Sequence, residues 1–91
     1  METLAKAEHP THCSEYVEHN EKKFHIVARN GNAYSHLEID IITQEGVPHR
    51  IANEYDIQGY KHVNYIGNES TRIAESKANI TAAKNLIKKV F

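Results

Sequence analysis

The stretch from Lys77 to Phe91 constrains this chain more than any other segment. At about 100° per residue, Ile80, Ala83, Leu86, Ile87, Val90 and Phe91 fall on one side of a helix, while Lys77, Thr81, Lys84 and Lys88 fall together on another. One side is made for burial and the other is a basic stripe. The remainder of the chain must therefore supply an apolar surface for this helix to cover.

That surface reads as a sheet. The run Phe24-His25-Ile26-Val27-Ala28-Arg29 is followed by Asn30-Gly31 and then by a run reaching Leu37-Glu38-Ile39-Asp40-Ile41-Ile42. Asn-Gly between two such runs is a strong hairpin signal, because a type I′ turn needs positive φ at both central residues. With Asn30 and Gly31 in those positions, Ala28 faces Ala33, Ile26 faces Ser35 and Phe24 faces Leu37, and Ile39 and Ile41 continue the buried row. The opposite surface pairs Val27 with Tyr34, His25 with His36 and Lys23 with Glu38, which makes it polar and wet.

Gln44-Glu45-Gly46 reads as the next turn. The segment from Val47 to Ile57 fits a strand or a short helix, and the alternation of Ile51, Tyr55 and Ile57 with polar residues tips it to a strand. Tyr60 to Ile66 reads as a further strand, and Ser70 to Glu75 as a short one before the helix. Residues 1–22 read as a polar N-terminal arm or a short helix capped by Thr11, with Cys13, Tyr16 and Val17 on one face. The expected architecture is an α+β domain over residues 23–91: a small antiparallel sheet of three to five strands packed against a C-terminal amphipathic helix.

Composition narrows the function. At 91 residues, with 40% hydrophobic and 25% charged residues, the chain suits one small globular domain. A net charge of -1 removes the bulk electrostatic case for a general nucleic-acid binder. Cys13 is the only cysteine, so no internal disulfide forms, and a reducing, cytoplasmic setting is expected. No window approaches the roughly 20 apolar residues of a membrane span.

Several groups of residues bear on chemistry. His9, His12, Cys13 and Glu15 combine ligand types that suit a transition metal, but adjacent residues such as His12 and Cys13 seldom serve one ion. Glu38 and Asp40, with Glu75-Ser76-Lys77 and Asp56, offer the residue types of a metal-dependent nuclease at a spacing that is common by chance. No nucleophile elbow and no phosphate-cradling glycine loop is present. The expectation is a protein that is not an enzyme and that carries neither metal nor cofactor.

A sheet followed by a helix that opens at Ser76-Lys77 and continues to Ala82-Ala83 resembles, in outline, the double-stranded-RNA-binding domain. The resemblance implies lysines pointed at phosphates across a groove. It covers only Ser76 to Leu86. It departs in having Ala78 and Asn79 after Lys77 rather than more lysines, and in lacking a Gly-Pro-x-His loop.

The expected function is a small binding module, of the adaptor, inhibitor or phage accessory type, that engages a protein through Tyr34, His36, Tyr60 and His62. The alternative is a nucleic-acid binder using Arg72, Lys77, Lys84 and Lys88. A sheet edge at Tyr60 to Ile66 is the expected surface for a homodimer.

Overall fold

A computed structural model of the chain describes residues 1–31 and 34–91. It is the expected α+β fold, with five antiparallel strands in the order β1-β2-β3-β4-β5 and one C-terminal helix on one face. The strands are β1 (Glu2–His9), β2 (His12–His19), β3 (Lys22–Asn30), β4 (Ser35–Ile42) and β5 (Pro48–Asn53). A single 3₁₀ turn, Glu54–Asp56, follows β5, and α1 runs from Glu69–Val90.

Alternation along the central strands gives the sheet a dry side and an open side. Cys13 and Val17 of β2, Phe24, Ile26 and Ala28 of β3, and Leu37 and Ile39 of β4 form the dry side, and Ile80, Ala83 and Ile87 of α1 complete the core. The helix lies across β2, β3 and β4. Phe91, just past its end, sets its ring 5.1 Å from that of Phe24. The apolar helix face is as expected except at Val90, which is 62% exposed.

The N-terminal residues are neither an arm nor a helix. They form the β1–β2 hairpin, in which His9 pairs with His12 across the two-residue turn Pro10-Thr11. Strand β1 is exposed along its whole length. Its pattern gave no strand signal because it has no dry side: the helix does not reach over it.

The β3–β4 hairpin keeps its expected faces but not its expected register. Ala28 pairs with Leu37, Ile26 with Ile39 and Phe24 with Ile41, so Ile26 does not face Ser35 and Phe24 does not face Leu37. Ala33, expected opposite Ala28, lies outside the described residues. An even displacement leaves every side chain on its own side of the sheet, which is why the burial pattern survives. It does change the partners on the open side: His25 faces Asp40, Val27 faces Glu38, Lys23 faces Ile42 and Arg29 faces His36.

Asn30 is taken out of the turn by other bonds. It pairs with Ser35 as the last residue of β3. Its backbone N–H donates to Thr11 O (3.1 Å) and its side-chain amide to Pro10 O (2.8 Å), tying two hairpin ends together.

The tight turn with positive φ lies one hairpin earlier, at Asn20 (φ 51°) and Glu21 (φ 66°), between β2 and β3. Asparagine tolerates this region, whereas glutamate adopts it at a cost of roughly 1–2 kcal/mol. Glu21→Gly is therefore expected to stabilise the fold by about 0.5–1 kcal/mol after glycine's extra freedom in the unfolded chain is subtracted. Thermal unfolding measures it, and a lower Tm would show that the Glu21 side chain contributes more than its backbone costs.

The turn at Thr43 to Val47 forms as expected, with Gly46 at φ 84° donating its N–H to Thr43 O. Pro48–Asn53 is a strand, as expected, but the strand stops there: Glu54–Asp56 is a 3₁₀ turn, so Tyr55 and Ile57, expected to extend the strand, lie outside it. Tyr60 to Ile66 is not a strand but part of an irregular crossing from β5 to the helix, so the expected dimer edge there does not exist. Ser70 to Glu75 is helical: Asn68 caps the helix by accepting from Thr71 N (2.8 Å), and this cap starts α1 well before Lys77.

Candidate functional site

The open side of the sheet is where polar chemistry concentrates. Tyr16 and His25 stack with ring centroids 4.1 Å apart and planes 11° from parallel. Tyr16 remains 45% exposed. One pairing further along the same row, Asp40 accepts from Arg50 Nε at 2.6 Å, and Arg50 also reaches Glu38 at 3.1 Å. Arg29 approaches Glu38 from the other side at 3.7 Å. Burial lowers the His25 pKa despite the opposing pull of Asp40. The bond to Asp40 raises that of Arg50, and Glu38 adds to it.

At the β3–β4 end, the Tyr34 and His36 rings lie with centroids 4.7 Å apart. His36 Nδ1 lies 2.6 Å from Glu54 Oε1. Burial works to raise the Glu54 pKa, but the His36 contact and backbone hydrogen bonds outweigh it and the net shift is downward.

Tyr60 and His62 belong to a different arrangement. Both meet Ser35, on the helix side: the Tyr60 hydroxyl contacts Ser35 Oγ and donates to Ser35 O (3.0 Å), and His62 Nδ1 lies 3.2 Å from Ser35 Oγ. Ser35 Oγ also accepts from Val63 N (3.2 Å). This buried hydroxyl, engaged from three directions, fastens the crossing segment to β4. The four residues expected to act together thus divide into Tyr34 and His36 on the open side, the first exposed and the second half-exposed, and a fastening pair, Tyr60 and His62.

The basic stripe is mostly spent within the molecule. Lys77 Nζ lies 3.0 Å from Glu8 Oε2, and Lys84 Nζ lies 2.5 Å from Glu15 Oε1. The Lys77 contact holds the Glu8 pKa below its ordinary range, and that contact holds Lys77 above its own. These pairs tether the β1–β2 hairpin to a helix that does not otherwise cover β1. Arg72 sits over the Tyr65 ring at 5.7 Å, and Lys88 is exposed near the helix end.

The other weighed constellations are not assembled. Strand alternation sends His9 and His12 to the open side and Cys13 and Glu15 to the helix side. Cys13 is buried, its thiol 3.6 Å from His9 O, and burial pushes its pKa up. Among the described residues no group of three or more His, Cys, Asp or Glu is arranged to hold a metal ion. Glu38 and Asp40 are neighbours on the open side, but Glu75 and Lys77 lie on α1 across the sheet, and Asp56 closes the cap of the 3₁₀ turn by accepting from Asn53 N (3.0 Å). The expected His25–His36 pair is not formed, because of the register described above.

No helix among the described residues is long and apolar enough to cross a membrane. No protein-family model matches the chain, and neither a curated protein nor a solved structure matches it.

Proposed function

We propose that this chain is a small non-catalytic binding module, of the adaptor, inhibitor or accessory type, that meets a protein partner with the open side of its sheet. The observation that carries this reading is the make-up of that side. It presents Tyr16, Tyr34, His25, His36, Arg29 and Arg50, with Lys23 as its one lysine, while Lys77, Lys84 and Lys88 sit on the helix. Protein interfaces are enriched in Tyr and Arg and depleted in Lys, Glu and Asp, and the Glu38 and Asp40 carboxylates of this side are taken up by Arg29 and Arg50. The ring stack and the Arg50 clamp also hold these side chains in place before a partner arrives, which lowers the entropy cost of binding.

Both sheet edges are guarded. Leu4 forms a bulge in β1, between the pairs Thr3–Val17 and Ala5–Tyr16, and Ile51 is the extra residue in β5 between Ala52 and Arg50. Bulges on edge strands discourage edge-to-edge pairing, so a face is the better candidate than an edge, for a partner protein and for a second copy alike. Nucleic acid along Arg72, Lys77, Lys84 and Lys88 is the weaker reading, since phosphates there compete with Glu8 and Glu15 for Lys77 and Lys84. A cytoplasmic setting suits the free, buried Cys13.

The test is partner capture by cross-linking from lysate, with Tyr16→Ala and Arg50→Ala variants whose melting curves are checked first. Each is expected to weaken capture about tenfold or more. Undiminished capture by both folded variants overturns the reading.

A further inference from the structure

At the end of the open side where β1 turns into β2 and β3 into β4, four residues scattered in sequence form one row. The pairings His9–His12, His12–Arg29 and Arg29–His36 set three imidazoles and a guanidinium side by side across β1, β2, β3 and β4. At roughly 4.8 Å per strand the row is about 15 Å long. His9 and Arg29 are exposed, and His12 and His36 are half-exposed.

Carboxylates face the Arg29–His36 half of this row and leave the His9–His12 half open. Glu54 of the 3₁₀ turn engages His36 at 2.6 Å, and Glu38 of β4 is shared between Arg29 and Arg50. His9 Nδ1 meets only Thr11, whose hydroxyl lies at 3.0 Å and whose N–H donates to it at 3.3 Å. Glu8, the next residue along β1, points to the helix side and is held by Lys77. Among the described residues no carboxylate pairs with His9 or His12. His25, elsewhere on the same side, is stacked on Tyr16 and stands outside the row.

We propose that this row is an anion-binding strip that takes the carboxylates of an acidic segment of the partner protein, and that it engages more tightly as its imidazoles gain protons. The proposal rests on the open-side reading above. Imidazole is the side chain that changes charge between about pH 5 and 8, and a protonated row places like charges next to one another. Incoming carboxylates relieve that repulsion and favour proton uptake. Acidic side chains three or four residues apart on a helix lie about 5–6 Å apart, close to the strand spacing of the row.

The probe is a labelled decaglutamate, followed by fluorescence anisotropy and by backbone amide shifts at about pH 6 and about pH 7.5, beside a ten-residue thymidylate of the same length. Decaglutamate is expected to bind about tenfold or more tightly at the lower pH, with the largest shifts at His9, His12, Arg29 and His36. A His12→Gln, His36→Gln double variant with a retained melting curve, which leaves only His9 to titrate in the row, should cut that dependence to about threefold or less. Binding that is absent, insensitive to pH or centred elsewhere overturns the proposal. Tighter binding of thymidylate overturns it too, by assigning the strip to phosphates. Partner capture that needs Tyr16 but is indifferent to pH and to the double variant overturns the strip alone. Capture indifferent to Tyr16 as well overturns the strip and the open-side reading together.

Discussion

Ile87→Asp is expected to unfold the domain, whereas Leu86→Asp at the neighbouring position is expected to leave it folded and weaker. Ile87 is fully buried against the sheet, while Leu86 is only partly buried at the rim of the core. Removing a buried isoleucine side chain costs about 2–5 kcal/mol. Placing an unpaired carboxylate in the same space adds several more. The sum reaches the whole stability of a domain of this size, roughly 5–15 kcal/mol. Leu86→Asp lets the carboxylate reach water and should cost about 1–2 kcal/mol. Far-UV circular dichroism and amide shift dispersion measure both. A cooperative melt of Ile87→Asp within a few degrees of the parent would mean that the helix end is not part of the core.

Asn79→Ala is expected to cost about 2–3 kcal/mol without unfolding the chain. Asn79 is 2% exposed and holds the backbone of Lys61 with both halves of its amide: Oδ1 accepts from Lys61 N (2.9 Å) and Nδ2 donates to Lys61 O (2.9 Å). This imitates one rung of a strand ladder, and it fixes the crossing segment against the helix. Alanine removes both bonds and leaves the partners to find water, at about 1–1.5 kcal/mol each. For a domain of this length the loss should appear as a drop in Tm of about 10 °C or more. Amide exchange gives the sharper readout: Lys61 should lose protection while amides of β3 keep theirs. Equal loss at both sites would mean that the segment does not open locally.

How much was legible depended on whether a residue's neighbours are close in sequence. Ile80, Ala83 and Ile87 announce the helix, and Phe24, Ile26, Leu37 and Ile39 announce two strands, because period alone decides which way they point. β2 was missed because Glu15 interrupts an alternation that Cys13 and Val17 would otherwise make plain, and its carboxylate is there to meet Lys84 from a remote helix. Asn30-Gly31 misled because Asn30 is claimed by Pro10 and Thr11, contacts that no local reading contains. The strip on the open side was out of reach for the same reason. His9, His12, Arg29 and His36 meet only through strand register, and the inferred register of β3 with β4 was displaced.

The up-and-down order of the strands bears on how the domain comes apart. Every rung of the sheet joins neighbours along the chain, so each hairpin closes a short loop at small entropic cost. The docking of α1 joins distant parts of the chain through apolar contacts, and the crossing segment held on Ser35 adds a second long-range tie. As the helix lets go, Phe24, Ile26, Leu37 and Ile39 are bared as an apolar floor. Such a floor is self-adhesive. Aggregation is therefore expected to follow how loosely the last helix is held, so conditions that loosen that helix should produce turbidity before they produce loss of strand signal.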